Sequence, residues 1–237
     1  MESFIRRLFA DPEMLRMGHH QREADLNLGL GWLYYALGRV IRPRHAVVIG
    51  SWRGFVPAVI GKALIDNGAD PAATEIGRVT FVDPSLADPF WTDASAVAAH
   101  FAGLGAPNVE HHHHTTQSFV ATAAYAALDQ VGLLMIDGFH TAEQALFDYL
   151  AFVDKLSPDA CVLVHDSLRE RESTFYGDDR PYRHTVTRFV ERLAATRGLE
   201  VLTLPFGAGL TLVRGRPADD AERAALAAAF AAPFAAP

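Results

Sequence analysis

Apolar residues in this chain gather into two kinds of run. Compact blocks that are apolar at successive positions predict strands buried on both faces: 46–50 (AVVIG), 79–83 (VTFVD), 108–113 (NVEHHH), 132–137 (GLLMID) and 160–166 (ACVLVHD). Two more blocks, 200–204 (EVLTL) and 209–214 (GLTLVR), are separated only by Pro205-Phe206-Gly207-Ala208. That gap is too short for a parallel crossover, so this pair predicts an antiparallel hairpin. Between the blocks the period changes to that of a helix. Leu26, Leu30, Leu33, Leu37 and Ile41 recur at three- and four-residue intervals, as do Ala142, Ala145, Leu146, Tyr149, Val153 and Leu156. The latter helix opens at Thr141, with Gln144 at capping-box spacing. Residues 182–197 predict another helix. An Ala-rich tail helix over 219–231 starts behind Asp219 and Asp220 and stops at Pro233.

Strands alternating with helices predict an α/β fold: a doubly wound seven-stranded sheet, mostly parallel, with a C-terminal antiparallel hairpin. Three regions follow: an N-terminal helical cap (1–44), a sheet domain (45–216) and the C-terminal Ala-rich helix (217–237). With 237 residues, 50% of them hydrophobic, the chain has ample material for one core. The net charge of −7 repels phosphate backbones, which argues against a nucleic-acid partner. The longest uncharged run near the N-terminus, Leu26 to Gly38, is shorter than the ~20 apolar residues that span a bilayer, so no membrane partner is expected. A charged N-terminus and a single cysteine fit a cytoplasmic protein without disulfides.

Candidate chemistry collects where the predicted strands end. The first strand runs into Gly50-Ser51-Trp52-Arg53-Gly54 and then a helix, a tight turn where glycine lets a ligand approach and the helix N-terminus offers free N–H groups. The second strand ends in Asp83, a carboxylate suited to ribose hydroxyls. The turn lacks the dinucleotide fingerprint G-x-G-x-x-G and the G-K-[ST] of a P-loop, which counts against NAD and against a P-loop ATPase. Strand four ends in Asp137, with His140 three residues on, and strand five in His165-Asp166. As neighbours these four would meet on one rim, able to hold a divalent ion and to take a proton. Read blandly, Asp137 caps a helix and His165-Asp166 is a hydrogen-bonded pair closing a strand.

The segment Leu133–His140, then Asp148, Leu156-Ser157-Pro158 and Val162–Asp166 resembles the "IDGxH … D … L-x-P-G-G … HD" pattern of class I S-adenosylmethionine-dependent methyltransferases. The branch is that of the macrocin-type and catechol-type small-molecule O-methyltransferases, with a Rossmann-like sheet. Val48–Gly54 resembles that fold's first motif, and the match covers 45 to about 215. The resemblance implies S-adenosylmethionine as cofactor, with Gly50, Ser51 and Gly54 at its methionine end, Asp83 on the ribose, and Gln117 and Ser118 near the adenine. It implies Asp137, His165 and Asp166 as ligands of Mg²⁺ or another divalent cation, should one be used. Asp137 also counts among the cofactor-binding and catalytic residues, and His140 falls at the general-base position. Two departures stand out: Val48 replaces the acid usual two residues before the first glycine, and Asp159-Ala160 replaces the Gly-Gly before strand five.

Other features fit a structural role. Along a strand, His111/His113 and His112/His114 face opposite ways, as a solvated strand end with incidental metal affinity. Cys161 suits a buried core position. Trp32, Tyr34 and Tyr35 suit core or an aromatic acceptor pocket, and the long charged segment 167–182 a lid or a connector. The tail helix could pack on its own domain or on a second subunit of a homo-oligomer. The expected function is methyl transfer to a small-molecule acceptor, at a hydroxyl oxygen. A silent cofactor-binding or assembly protein and an oxidoreductase on a related sheet are the alternatives.

Overall fold

A computed structural model of the chain describes residues 1–16, 18–71, 73–84, 89–174 and 178–230. In chain order the elements are α1 (Glu2–Phe9), α2 (Gly31–Ile41), β1 (His45–Ile49), α3 (Phe55–Gly68), β2 (Arg78–Val82), α4 (Ala94–Leu104), β3 (Val109–His112), α5 (Thr116–Phe119), α6 (Ala123–Ala126) and β4 (Val131–Ile136). Then come α7 (Ala142–Phe152), β5 (Leu156–His165), β6 (Arg171–Ser173), β7 (Tyr182–His184), α8 (Val186–Ala194), β8 (Leu199–Leu204), β9 (Leu210–Gly215) and α9 (Asp220–Ala227).

One seven-stranded sheet has the order β3-β2-β1-β4-β5-β9-β8. Its first five strands pair in parallel, and β9 runs antiparallel to both β5 and β8, the hairpin expected from the short connection. The uninterrupted apolar blocks follow from burial on both faces. Ala46 and Val48 enter one core cluster while Val47 and Ile49 enter the other; Leu133/Met135 against Leu134/Ile136, and Cys161/Leu163 against Val162/Val164, divide the same way. Helices α1 to α4 cover the first face, and α7, α8 and the end of α9 the second. Cys161 is buried there as expected.

Local signals explain most boundaries. Thr141 accepts the Gln144 backbone N–H at the start of α7, and Asp219 accepts that of Glu222 at the start of α9. Helix α9 packs Leu226 into its own core and is tied down by Arg223–Asp154 and Arg197–Glu222 ion pairs. Pro233, the expected stop, lies outside the described residues.

Several expectations are corrected, among them the extent of the tail helix, which ends at Ala227. Residues 182–184 form strand β7, and helix α8 begins only at Val186. The charged segment 167–182 holds β6 and the first residue of β7, which pair as a two-stranded antiparallel sheet; its residues 175–177 lie outside those described. Leu26 stands before α2 with φ +53°, and Leu156 opens β5 after α7 has ended at Phe152, so the helical period each shares is incidental.

Candidate active site

The backbone ladder continues past the strand ends and binds their tips together. Asp83 N–H donates to the His112 carbonyl (3.2 Å), Gly50 N–H to Val82 (2.9 Å) and Asp137 N–H to Ile49 (2.8 Å). Residues 83, 50 and 137 therefore lie side by side on the carboxyl edge of the sheet, where open α/β sheets take ligands. The β1 and β4 tips are nearly in contact. A Cβ on Gly50 (φ +72°) would lie 2.2 Å from the Asp137 carbonyl oxygen and 2.6 Å from the Gly138 Cα. A Cβ on Gly54 would meet Phe101 at 2.8 Å. The space a side chain would need at these glycines is thus already taken by Asp137-Gly138 and by Phe101.

The turn between them is held from above. Ser51 is buried and its hydroxyl accepts the Val56 N–H (3.1 Å) at the start of α3. Trp52 donates its indole N–H to Glu13 (2.9 Å), and Arg53 pairs with Asp11 (3.5 Å). Val48 is wholly buried, in register with Phe81 and Met135, so the usual acid is replaced by core packing.

Beyond β3, Gln117 and Ser118 lie on α5. Gln117 donates its amide to the Gln144 side chain (2.8 Å), which donates to the buried Asp148 carboxyl (2.7 Å). Burial pushes Asp148 up to about 7. Ser118 is exposed and bonds His114 and Thr115. The four histidines pair as expected, His111 with His113 on one side, His112 and His114 against Phe119 on the other. His111 and His112 pack on aromatic rings rather than being solvated.

Past β4 the predicted acids and histidines converge. His165 Nδ1 lies 3.0 Å from Asp137 Oδ1 and 3.4 Å from Asp166 Oδ1. His140 Nε2 is 3.8 Å from an oxygen of each aspartate. His140 and Asp166 both adopt left-handed backbone conformations (φ +56° and +54°), which cost on the order of 1 kcal/mol each and persist where the surroundings fix them. Two further histidines join. His19, from the N-terminal segment, places Nε2 3.7 Å from Asp137 Oδ2 and Nδ1 3.1 Å from the Tyr34 hydroxyl. His184, at the end of β7, stacks on His140 at 4.7 Å and puts Nδ1 3.2 Å from Asp166 Oδ2. Thr185 anchors that strand end: its N–H donates to the His140 carbonyl and its hydroxyl accepts the Ala142 N–H, both at 2.9 Å. Arg171 of β6 makes a close ion pair with the same Asp166 oxygen.

The electrostatics keep both aspartates ionised. Burial pushes the Asp137 carboxyl up, but the imidazoles of His165, His19 and His140 outweigh it and hold Asp137 below the usual carboxylate range. For Asp166, burial is likewise outweighed, by His184, His140, His165 and Arg171. Burial drives His140 down to about 4, leaving it a neutral imidazole at pH 7.

Sequence reasoning missed His19, His184 and Arg171. Of the aromatic trio, Tyr34 reaches the site, Trp32 is exposed and Tyr35 donates to Asp66 elsewhere.

Residues 47–167 match a family described as a methyltransferase domain. No curated protein matches the chain. Several solved structures share the fold over 91% of this chain. The O-methyltransferase TomG from Streptomyces achromogenes, involved in tomaymycin synthesis and solved with S-adenosylmethionine, is 17% identical over 90% of its chain (TM-score 0.59). An O-methyltransferase from Bacillus cereus, solved with S-adenosylhomocysteine, is 12% identical over 92% of its chain (TM-score 0.61). The S-adenosylhomocysteine-bound methyltransferase PaMTH1 from Podospora anserina is 13% identical over 88% of its chain (TM-score 0.61).

Proposed function

We propose that this chain, which belongs to the methyltransferase-domain family and is an S-adenosylmethionine-dependent methyltransferase, methylates a hydroxyl oxygen of a small molecule with His140 as general base. The oxidoreductase alternative falls with the family assignment. The observation that carries the reading is the hydrogen-bonded row of tips, Asp83–Gly50–Asp137, with His140 set between two ionised aspartates.

The cofactor fits this edge by length and by donor chemistry. From β3 to β4 the sheet spans three inter-strand gaps, roughly 14 Å, comparable to an extended adenosyl-methionine. Along that line lie Gln117 and Ser118 for the adenine, Asp83 for the ribose hydroxyls, and Gly50, Ser51, Gly54 and Asp137 toward the methionine end.

In the reaction, the acceptor O–H gives its proton to the neutral His140 ring as oxygen attacks the sulfonium methyl. The O–CH₃ bond forms, the S–CH₃ bond breaks, and S-adenosylhomocysteine leaves. Asp137 and Asp166, each 3.8 Å from His140 Nε2, stabilise the imidazolium that results. The remaining demand on the protein is to align oxygen, carbon and sulfur. Asp137, His165 and Asp166 are the sequence-derived set for a divalent ion, and their donor atoms form a close chain. Such an ion would supply a Lewis acid for the acceptor oxygen.

Calorimetry with S-adenosylhomocysteine and with NAD(P) tests the cofactor: binding of the first without the second is expected, and the reverse would overturn the reading. Turnover on a panel of catechols and hydroxylated metabolites tests the enzyme. A protein that binds S-adenosylhomocysteine and methylates nothing on a broad hydroxyl panel would support a silent binder.

A further inference from the structure

The Asp137 carboxylate is ringed by imidazoles from three separate parts of the chain: His19 before α2, His140 after β4 and His165 at the tip of β5. We propose that His19, Asp137 and His165 bind one late first-row transition ion, Zn²⁺ in type, which fastens the N-terminal segment to the strand tips. The proposal deepens the ion-binding part of the reading above, with His19 in place of Asp166 as third ligand, and does not depend on methyl transfer.

Distance favours this set. The three donor atoms lie within 4.8 Å of one another. A tetrahedral ion with bonds of ~2.0–2.1 Å holds its donors about 3.4 Å apart. The two contacts around Asp137 are of that order, 3.0 Å from His165 to Oδ1 and 3.7 Å from His19 to Oδ2. A hydrogen bond accounts for the shorter contact, but the longer one exceeds hydrogen-bond reach. His19 Nε2 is nevertheless aimed with care. Its other ring nitrogen sits 3.1 Å from the Tyr34 hydroxyl, the outer partner that fixes a ligating imidazole. The ring stacks on Phe55 at 5.2 Å and lies 4.6 Å from the His165 ring. Its backbone carbonyl accepts the Leu30 N–H at 2.8 Å, against a glycine whose Cβ would fall 2.0 Å from that same oxygen. His19 is only 2% exposed, a costly place for a polar ring unless it is used.

Asp166 has other company. Its Oδ2 already faces the Arg171 guanidinium, and His184 Nδ1 lies 3.2 Å away without the alignment of a hydrogen bond. His140, Asp166 and His184 form a second triad of suitable type, but there the guanidinium already supplies the positive charge. Of these two triads, only the His19 set is then expected to take an ion. Two imidazoles and one carboxylate select Zn²⁺, Co²⁺ or Ni²⁺ over Mg²⁺, which prefers oxygen ligands and keeps its water.

Cobalt(II) is the probe, because its visible absorption reports nitrogen ligation directly. The full chain, stripped with a chelator, is titrated with Co²⁺, then challenged with Zn²⁺ and with a thousandfold excess of Mg²⁺. Expected are one equivalent of Co²⁺, displacement by Zn²⁺, indifference to Mg²⁺, and affinity roughly 100-fold weaker in His19→Ala, about one ligand's share of a four-ligand zinc site. At a hundred times its Kd, Zn²⁺ should raise the wild-type Tm by about 5–10 °C and that of the variant far less. Matching urea midpoints in chelator show that the variant is folded; if His19→Ala does not fold, His19→Gln takes its place. A wild-type protein that binds S-adenosylhomocysteine but gives no Co²⁺ bands would overturn the proposal, as would equal Co²⁺ affinity in wild type and variant, competition by Mg²⁺, or two equivalents bound. Co²⁺ binding without S-adenosylhomocysteine binding would instead defeat the methyltransferase reading alone.

Discussion

Replacing Asp148 by asparagine should stabilise this protein, and by more as the pH rises. Asp148 is buried in α7, where it accepts a hydrogen bond from the Gln144 amide at 2.7 Å. Burial raises its carboxyl from 3.8 to about 7. Between those values the unfolded chain has released the proton and the folded chain still holds it, so stability falls as pH rises and the loss is complete only above the folded value. At about 1.36 kcal/mol per unit, the cost is about 2 kcal/mol at pH 5 and about 4 kcal/mol at pH 8, a growth of about 2–3 kcal/mol. Asparagine keeps the acceptor for Gln144 and carries no charge at either pH. Urea unfolding of both proteins at pH 5 and pH 8 isolates the effect, since every other titrating group cancels in the difference. With an m value of about 3 kcal/mol/M, the gap between variant and wild-type midpoints should widen by about 0.7–1 M urea from pH 5 to pH 8. A gap that stays constant, or narrows toward pH 8, refutes the reasoning.

Asp83→Ala should weaken S-adenosylhomocysteine about 10- to 150-fold in calorimetry, the worth of hydrogen bonds to a charged group; unchanged affinity would remove Asp83 from the ribose. His140→Ala should lower kcat by about 10²–10⁴ while leaving S-adenosylhomocysteine affinity within about threefold. Undiminished turnover would retire His140 as the base. Gly50→Ala places a Cβ 2.2 Å from the Asp137 carbonyl oxygen in a left-handed conformation. It should cost about 3 kcal/mol or more, a drop of roughly 6–12 °C in Tm; a Tm within 2 °C of wild type, about the smallest shift expected for 1 kcal/mol, would show that the tips can part.

The row of strand tips was legible because each acid closes an apolar run whose length and flanks admit only a buried strand. The capping roles of Thr141 and Asp219 were legible for the same local reason: a side-chain acceptor followed by a helical period. His19 and His184 were not. His19 reaches Asp137 across more than a hundred residues, from a polar stretch with no period. Tyr182-Arg183-His184 is too short a strand to show alternation, and the charged stretch around it reads as helix or loop. The glycines of the β1–α3 turn were found by pattern, but what fills their space, Asp137-Gly138 and Phe101, is decided by tertiary packing.

The anchoring of residues 11–16 over the β1–α3 turn bears on any attempt to shorten the protein. Cutting before the first strand looks natural on the primary sequence, yet it would remove Phe4, Leu8, Met14, Leu28 and Tyr34, all fully shielded from water, along with the acids that grip Trp52 and Arg53. What remained would expose a greasy flank and lose His19. Trimmed or fused versions of this enzyme should therefore keep the leading forty-four residues intact, and at the other end should keep α9, whose Leu226 is buried in the core.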